Sequence, residues 1–269
     1  MIEKLAAQNK VVLERYGRLL AFKQFEDTYY LHPYNTFLQF TPAKLYQAVS
    51  ASRLQAGDTA EFVQRTAAET EFYRMILRGE SSVLYRMIAI AFLERSARLL
   101  SDAVTADADL ARQKQAALLE ITRPLTSSER SFGKAMEGEL RYTTSILRTV
   151  SPNNTSFLER WYYWLAIKQN ASSNYFYRNI SVWRDLTQLP TEQYLAAEKR
   201  ALEKIGNPWG DGYLHMAYNP IGKTLIGIAV PAYSDYPRRV IDADGLLRLV
   251  SLQIQIAAQN IPEIGRAHV

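Results

Sequence analysis

The chain of 269 residues contains no cysteine and only three histidines, His32, His215 and His268. The first absence excludes a disulfide framework, a thiolate metal site and a cysteine nucleophile. It fits a reducing cytosol, and equally a periplasm. The histidines are far apart, so no metal site is expected from them, and no cofactor is expected elsewhere. Long apolar runs are also missing. The run Met87–Leu93 has seven residues, whereas a bilayer crossing needs about 20. The start, Met1-Ile2-Glu3-Lys4, opens an amphipathic pattern and not the apolar stretch of a signal peptide. Clustered charge is scarce too. Thirty-two Lys and Arg against 27 Asp and Glu give a net charge of +5, but the signs alternate along the chain. Nucleic acid is therefore not an expected partner.

What is present is apolar content, 48% of the residues, enough to fill a sizeable core. One stretch organises the rest, Gly79 to Leu100. Its middle, Met87-Ile88-Ala89-Ile90-Ala91-Phe92-Leu93, is apolar on every side of a helix, and such a helix is expected to be surrounded by protein. The spacing predicts a central helix over Ser82–Leu100. Other helices are marked by their caps: Thr41-Pro42, Asp58 with Glu61, Asp107 or Asp109, and the capping box Thr126-Ser127-Ser128-Glu129. Helical periodicity also runs from Ile2 to about Phe25, after Thr155, after Ser172, and from Pro190 to Ile205. The expected fold is all-α, with about nine or ten helices in a single domain over 1–269. A sub-boundary, if one exists, falls at 151–154, in Ser-Pro-Asn-Asn.

The C-terminal third changes character. Asn207 to Arg239 is rich in Gly and Pro and reads as an irregular segment laid over the helices. Thr224–Val230 within it suits a short buried strand or an apolar wrap. A last amphipathic helix is expected from Leu246 to Ala258 after a cap at Asp242 or Asp244.

No catalytic signature survives inspection. Gly222-Lys223-Thr224 lacks the first glycine of a phosphate loop, because Ala217 stands there. Asp242-Ala243-Asp244-Gly245 lacks the closing glutamate of a calcium loop, because Gln253 stands there. Glu80, Glu137 and Glu139 are the candidate catalytic carboxylates, since buried acids can be tuned for proton transfer. The alternative for Glu80 is a buried ion pair with Arg86 or Arg74. Trp161-Tyr162-Tyr163-Trp164 leaves Tyr162 and Tyr163 free to stack on a ligand while the tryptophans pack inside. Together with His215, Asn219, Lys223, Tyr233, Tyr236, Arg238 and Arg239, these tyrosines form the candidate binding set, because long irregular segments in a compact domain are often functional.

Leu77-Arg78-Gly79-Glu80-Ser81-Ser82-Val83-Leu84-Tyr85-Arg86-Met87-Ile88-Ala89 and Pro124-Leu125-Thr126-Ser127-Ser128-Glu129-Arg130-Ser131, followed by Gly138-Glu139, resemble a loose group of bacterial helical proteins. In that group an N-terminal membrane anchor precedes an envelope-facing domain. The resemblance covers about residues 1 to 150 and Asn219-Pro220 to Gln253. It implies a periplasmic or envelope location, with membrane association only through an anchor outside this chain. It implies no activity and assigns no site residue. A cytoplasmic location is the alternative. The function expected on these grounds is non-enzymatic binding of a protein partner or a cell-wall component through exposed aromatics and the 207–239 segment. An envelope hydrolase or lyase using buried glutamates is the second expectation.

Overall fold

The computed structural model describes residues 1–26, 40–149, 156, 168–204 and 218–259. The connector at 27–35, the break at 151–154, the Trp161–Trp164 cluster and His215 lie outside the described residues. Among the described residues the fold is all-α, with eleven helices. They are α1 (Ile2–Gln8), α2 (Lys10–Leu20), α3 (Phe40–Gln55), α4 (Thr59–Arg78), α5 (Val83–Ala106) and α6 (Ala108–Ile121). They continue as α7 (Ser127–Arg130), α8 (Gly133–Thr149), α9 (Gln169–Leu186), α10 (Thr191–Lys204) and α11 (Pro220–Ala258). No helix among the described residues is long and apolar enough to cross a membrane.

Local chemistry places the ends. The Asp58 carboxylate accepts the Glu61 N–H at 2.9 Å and starts α4. The Ser82 hydroxyl accepts from the Tyr85 N–H and starts α5. Asp107 accepts from the Asp109 N–H at 2.9 Å and starts α6. Each side chain satisfies a donor that a helix end leaves unpaired. The helix expected over Ile2–Phe25 is broken at Asn9, whose φ of −113° and ψ of 23° leave the helical region. Asn9 turns its side-chain amide back onto the Leu5 carbonyl at 2.9 Å, a local bond that competes with the helix.

The Gly- and Pro-rich segment is the main correction. It is not irregular from Pro220 onward, and it holds no strand there. Residues 220–258 are one helix of 39 residues. Pro220 is at its first position, where a missing N–H costs nothing. Pro231, Pro237 and Gly245 lie inside it, against their ordinary cost. Packing explains the outcome. Val240, Ala243, Leu247, Val250 and Ile254 recur every three or four residues and are buried, and α11 lies along α5, α6 and α9. Burial of such a stripe outweighs local propensity. Asp242 and Asp244 are therefore mid-helix residues and cap nothing. Asp244 is wholly buried, accepts the Leu125 N–H at 2.6 Å and pairs with Arg248 at 2.9 Å.

Helix α5 packs against α4, α6, α8 and α11, yet it is not enclosed on every side. Leu84, Ala91, Arg95 and Arg98 form an exposed strip, at the spacing of one helical face.

The start of α11 is tight. Asn219 adopts a left-handed conformation, φ 59° and ψ 47°. Its side-chain oxygen accepts the Lys168 N–H at 2.7 Å, and its amide donates to the Ser172 hydroxyl at 2.9 Å. A Cβ on Gly222 would collide with that hydroxyl and with the Asn219 side-chain oxygen. Gly222→Ala is thus expected to destabilise the fold by about 1–3 kcal/mol, as overpacking does. Thermal unfolding by circular dichroism checks this; an unchanged melting temperature would show that α9 and α11 can separate without cost.

Candidate functional site

Two buried polar centres stand out, and they do opposite things. The first is built on α7, a helix of four residues. Its Glu129 closes the capping box, accepting from the Thr126 N–H at 2.8 Å, and is wholly buried. The same carboxylate accepts from Arg74 at 2.9 Å, from Arg123 at 3.1 and 3.2 Å, and from Arg78 at 3.4 Å. Arg74 also donates to the Arg123 carbonyl. Arg86 is buried beside them and donates to the carbonyls of Leu77 and Glu129. Those carbonyls end α4 and α7, where the helix leaves acceptors unpaired and a cation is favoured. Burial pushes the Glu129 carboxyl up, but the Arg123 hydrogen bonds, the Thr126 N–H and the charges of Arg74 and Arg123 outweigh it. They hold it below the usual carboxylate range. Burial lowers the Arg86 guanidinium to about 10. This centre ties α4, α5 and α7 together, and every oxygen of Glu129 is occupied.

The second centre lies between α2, α3, α4 and α5. Glu69 of α4 is 1% exposed. Tyr16 of α2 donates to one of its oxygens at 2.9 Å, and Gln47 of α3 donates to the other at 2.8 Å. The Tyr16 hydroxyl is also 3.0 Å from that of Tyr73. Gln47 reaches Ser96 of α5 at 3.3 Å. The spacing explains the convergence: Glu69 and Tyr73, and likewise Phe92 and Ser96, are four residues apart on their helices and share a face. Tyr73 stacks on Phe92 with centroids 4.6 Å apart, and Tyr16 meets Tyr46 edge-on at 5.2 Å. Arg65 covers the Tyr46 ring at 3.8 Å, a favourable cation–aromatic contact. Burial raises the Glu69 carboxyl to about 7, against the hydrogen bonds of Gln47 and Tyr16 and the charges of Arg95 and Arg65. Burial, together with the charge of Glu69, also keeps the Tyr16 and Tyr73 hydroxyls protonated far above neutral pH.

Above this network opens a cleft of about 370 Å³. Val12, Arg15, Tyr16 and Leu19 of α2 form one wall, and Pro42, Tyr73 and Phe92 complete it. Its size and apolar lining with a few polar groups match small-molecule sites in general. Arg15 is the one charged side chain among the described lining residues.

The residues singled out from the sequence are distributed differently. Glu80 is exposed and pairs with Lys134 of α8 at 3.3 Å, so it is neither a buried acid nor the partner of Arg74 or Arg86; Arg74 pairs with the Glu129 carboxylate instead, and Arg86 is held by the backbone carbonyls of Leu77 and Glu129. Glu137 is exposed and Glu139 half-buried on α8. Asn219 and Lys223 are buried at the start of α11. Tyr236 is half-buried against the core, Arg239 is exposed, and Arg238 pairs with Glu198 through two bonds at 2.6 and 3.1 Å. Fifteen residues of helix, about 22 Å, separate Lys223 from Arg238, so these do not form one patch. The side chains of Tyr233, Tyr162, Tyr163 and His215 lie outside the described residues.

Glu69 and Gln47 were missed because nothing in their own neighbourhoods marks them. A glutamate among Ala67, Ala68, Thr70 and Glu71 reads as helix surface. The available signal was the periodicity of α4, which puts Glu69 on the face of Phe62, Thr66 and Tyr73. The chain matches no protein-family model, no curated protein and no solved structure.

Proposed function

We propose that the chain is a non-enzymatic binding protein whose α2–α5 cleft receives an apolar ligand. The observation that carries this is the cleft itself: aliphatic and aromatic walls over a floor of Tyr16 and Tyr73, with no carboxylate, histidine or lysine among the described lining residues. Among the described residues the buried acid next to the cleft, Glu69, is poorly disposed for proton transfer. Glu69 does not line the cleft, and both its oxygens already accept hydrogen bonds, whereas a general acid or base must reach its substrate. This shifts the expected binding surface from the 207–239 segment to the opposite end of the sequence. The setting we propose is the bacterial envelope, on the resemblance alone, with a cell-wall component or protein partner as the wider context of binding.

The test uses the neutral fluorophore N-phenyl-1-naphthylamine and the full chain. Saturable one-to-one binding is expected. Val12→Glu sets a charge on the wall at a half-exposed position of α2, where the fold tolerates it. It is expected to weaken binding at least tenfold, about 1.4 kcal/mol, with an unchanged melting temperature. Absence of saturable binding, or binding indifferent to Val12→Glu, overturns the proposal.

A further inference from the structure

Among the described lining residues the cleft carries one charge, that of Arg15, and that charge restricts what can fill it. Arg15 lines the apolar walls and is exposed. Among the described residues it has no ion-pair partner, although Lys10 and Glu14 on the same helix pair with each other at 3.8 Å. An apolar slot whose described lining carries one exposed guanidinium is complementary to a molecule with an apolar body and one anionic end. A carboxylate suits the guanidinium best, because the two can form paired charge-assisted hydrogen bonds. A cationic head would meet Arg15 as a like charge. A polyanion would find a single cation to answer many charges.

Resting on the reading of the cleft as a binding site, we infer that its ligand is a small amphipathic carboxylate, a monoacyl or aryl acid. Its apolar body lies along Leu19, Pro42, Tyr73 and Phe92, and its head lies at Arg15. The alkyl or aryl part supplies affinity by leaving water, and Arg15 supplies the choice of head group.

Competition against N-phenyl-1-naphthylamine separates these contributions. Decanoate, decan-1-ol and decylammonium share one chain length and differ in head charge. Decanoate is expected to displace the probe at a concentration at least tenfold below that of decan-1-ol, with decylammonium weakest. In Arg15→Gln, decanoate is expected to lose at least tenfold while decan-1-ol is unchanged. Arg15 is on the surface, so an unchanged melting temperature verifies the fold of the variant. Equal displacement by decanoate and decan-1-ol, or a preference that survives Arg15→Gln, overturns the inference and leaves the apolar cleft standing. Failure of the native chain to bind the probe at all overturns both.

Discussion

Replacing Glu129 by alanine is expected to be the most damaging single change in the molecule, costing about 3–5 kcal/mol. Such a loss is a large part of a typical folding free energy of about 5–15 kcal/mol. In a chain of this length it lowers the melting temperature by on the order of 10 °C. The reason is an imbalance of charge in the interior. Arg74 is as buried as Glu129 itself, and Arg123 is mostly buried. Without the carboxylate, these guanidinium groups keep their charge and lose their acceptor, and α7 also loses its capping box. Glu129→Gln divides the effect. An amide oxygen still serves the Thr126 N–H, so the cap survives, but the charge is gone; an intermediate loss is expected. Acidity supplies a further check. The Glu129 pKa is depressed in the folded state, so its contribution is complete above the unfolded carboxylate value and is lost as pH falls through the folded one. The gap in stability between the native chain and Glu129→Gln is therefore expected to close in acid. Thermal unfolding of the three proteins across pH measures this; an alanine variant melting within about 2 °C of the native chain would mean that solvent reaches the arginines.

Much of this architecture is legible in the residues, and what is not legible has a physical cause. Caps are local: Asp58, Ser82, Asp107 and Thr126 announce helices because a side-chain oxygen satisfies N–H groups two or three residues away. The same locality misleads in the C-terminal third. Proline and glycine between Pro220 and Gly245 signal a break, but α11 is maintained by contacts with α5, α6 and α9, which are far away in sequence. The arginines illustrate an intermediate case. Arg74 and Arg86 are recognisable as needing a carboxylate, since both lie on apolar faces. Glu80, near in sequence, is the natural choice, whereas the carboxylate that Arg74 finds is that of Glu129, 55 residues on, and Arg86 finds backbone carbonyls, one of them that of Glu129. The capping box identifies Glu129 as a helix start and hides its second role. The cleft is the least legible feature, because its walls come from four helices and none of its residues is unusual in its own segment.

Glu69→Gln is expected to act in the opposite direction and stabilise the protein, chiefly at alkaline pH. The Glu69 pKa is raised in the folded state to about 7, whereas an unfolded carboxyl titrates near 4.3. Between these values the folded state holds a proton that the unfolded state has released, so stability declines as pH rises through this window. A shift of that size corresponds to roughly 3 kcal/mol, lost by the native chain on going from pH 4 to pH 8. Glutamine carries no charge at any pH and removes the decline. It also satisfies the hydrogen bonds. Its amide nitrogen can donate to the Tyr16 hydroxyl while its oxygen accepts from Gln47. Tyr16 then donates to Tyr73, a direction that their 3.0 Å separation permits as well as the reverse. The protonated native carboxyl makes the same arrangement, so the variant imitates the acid form of the site. Near-equal stability at pH 4 and a gain on the order of 3 kcal/mol at pH 8 are the expected results. Denaturant melts at both pH values decide it: parallel pH profiles for the two proteins would show that Glu69 ionises at its ordinary value and that water reaches the floor of the cleft.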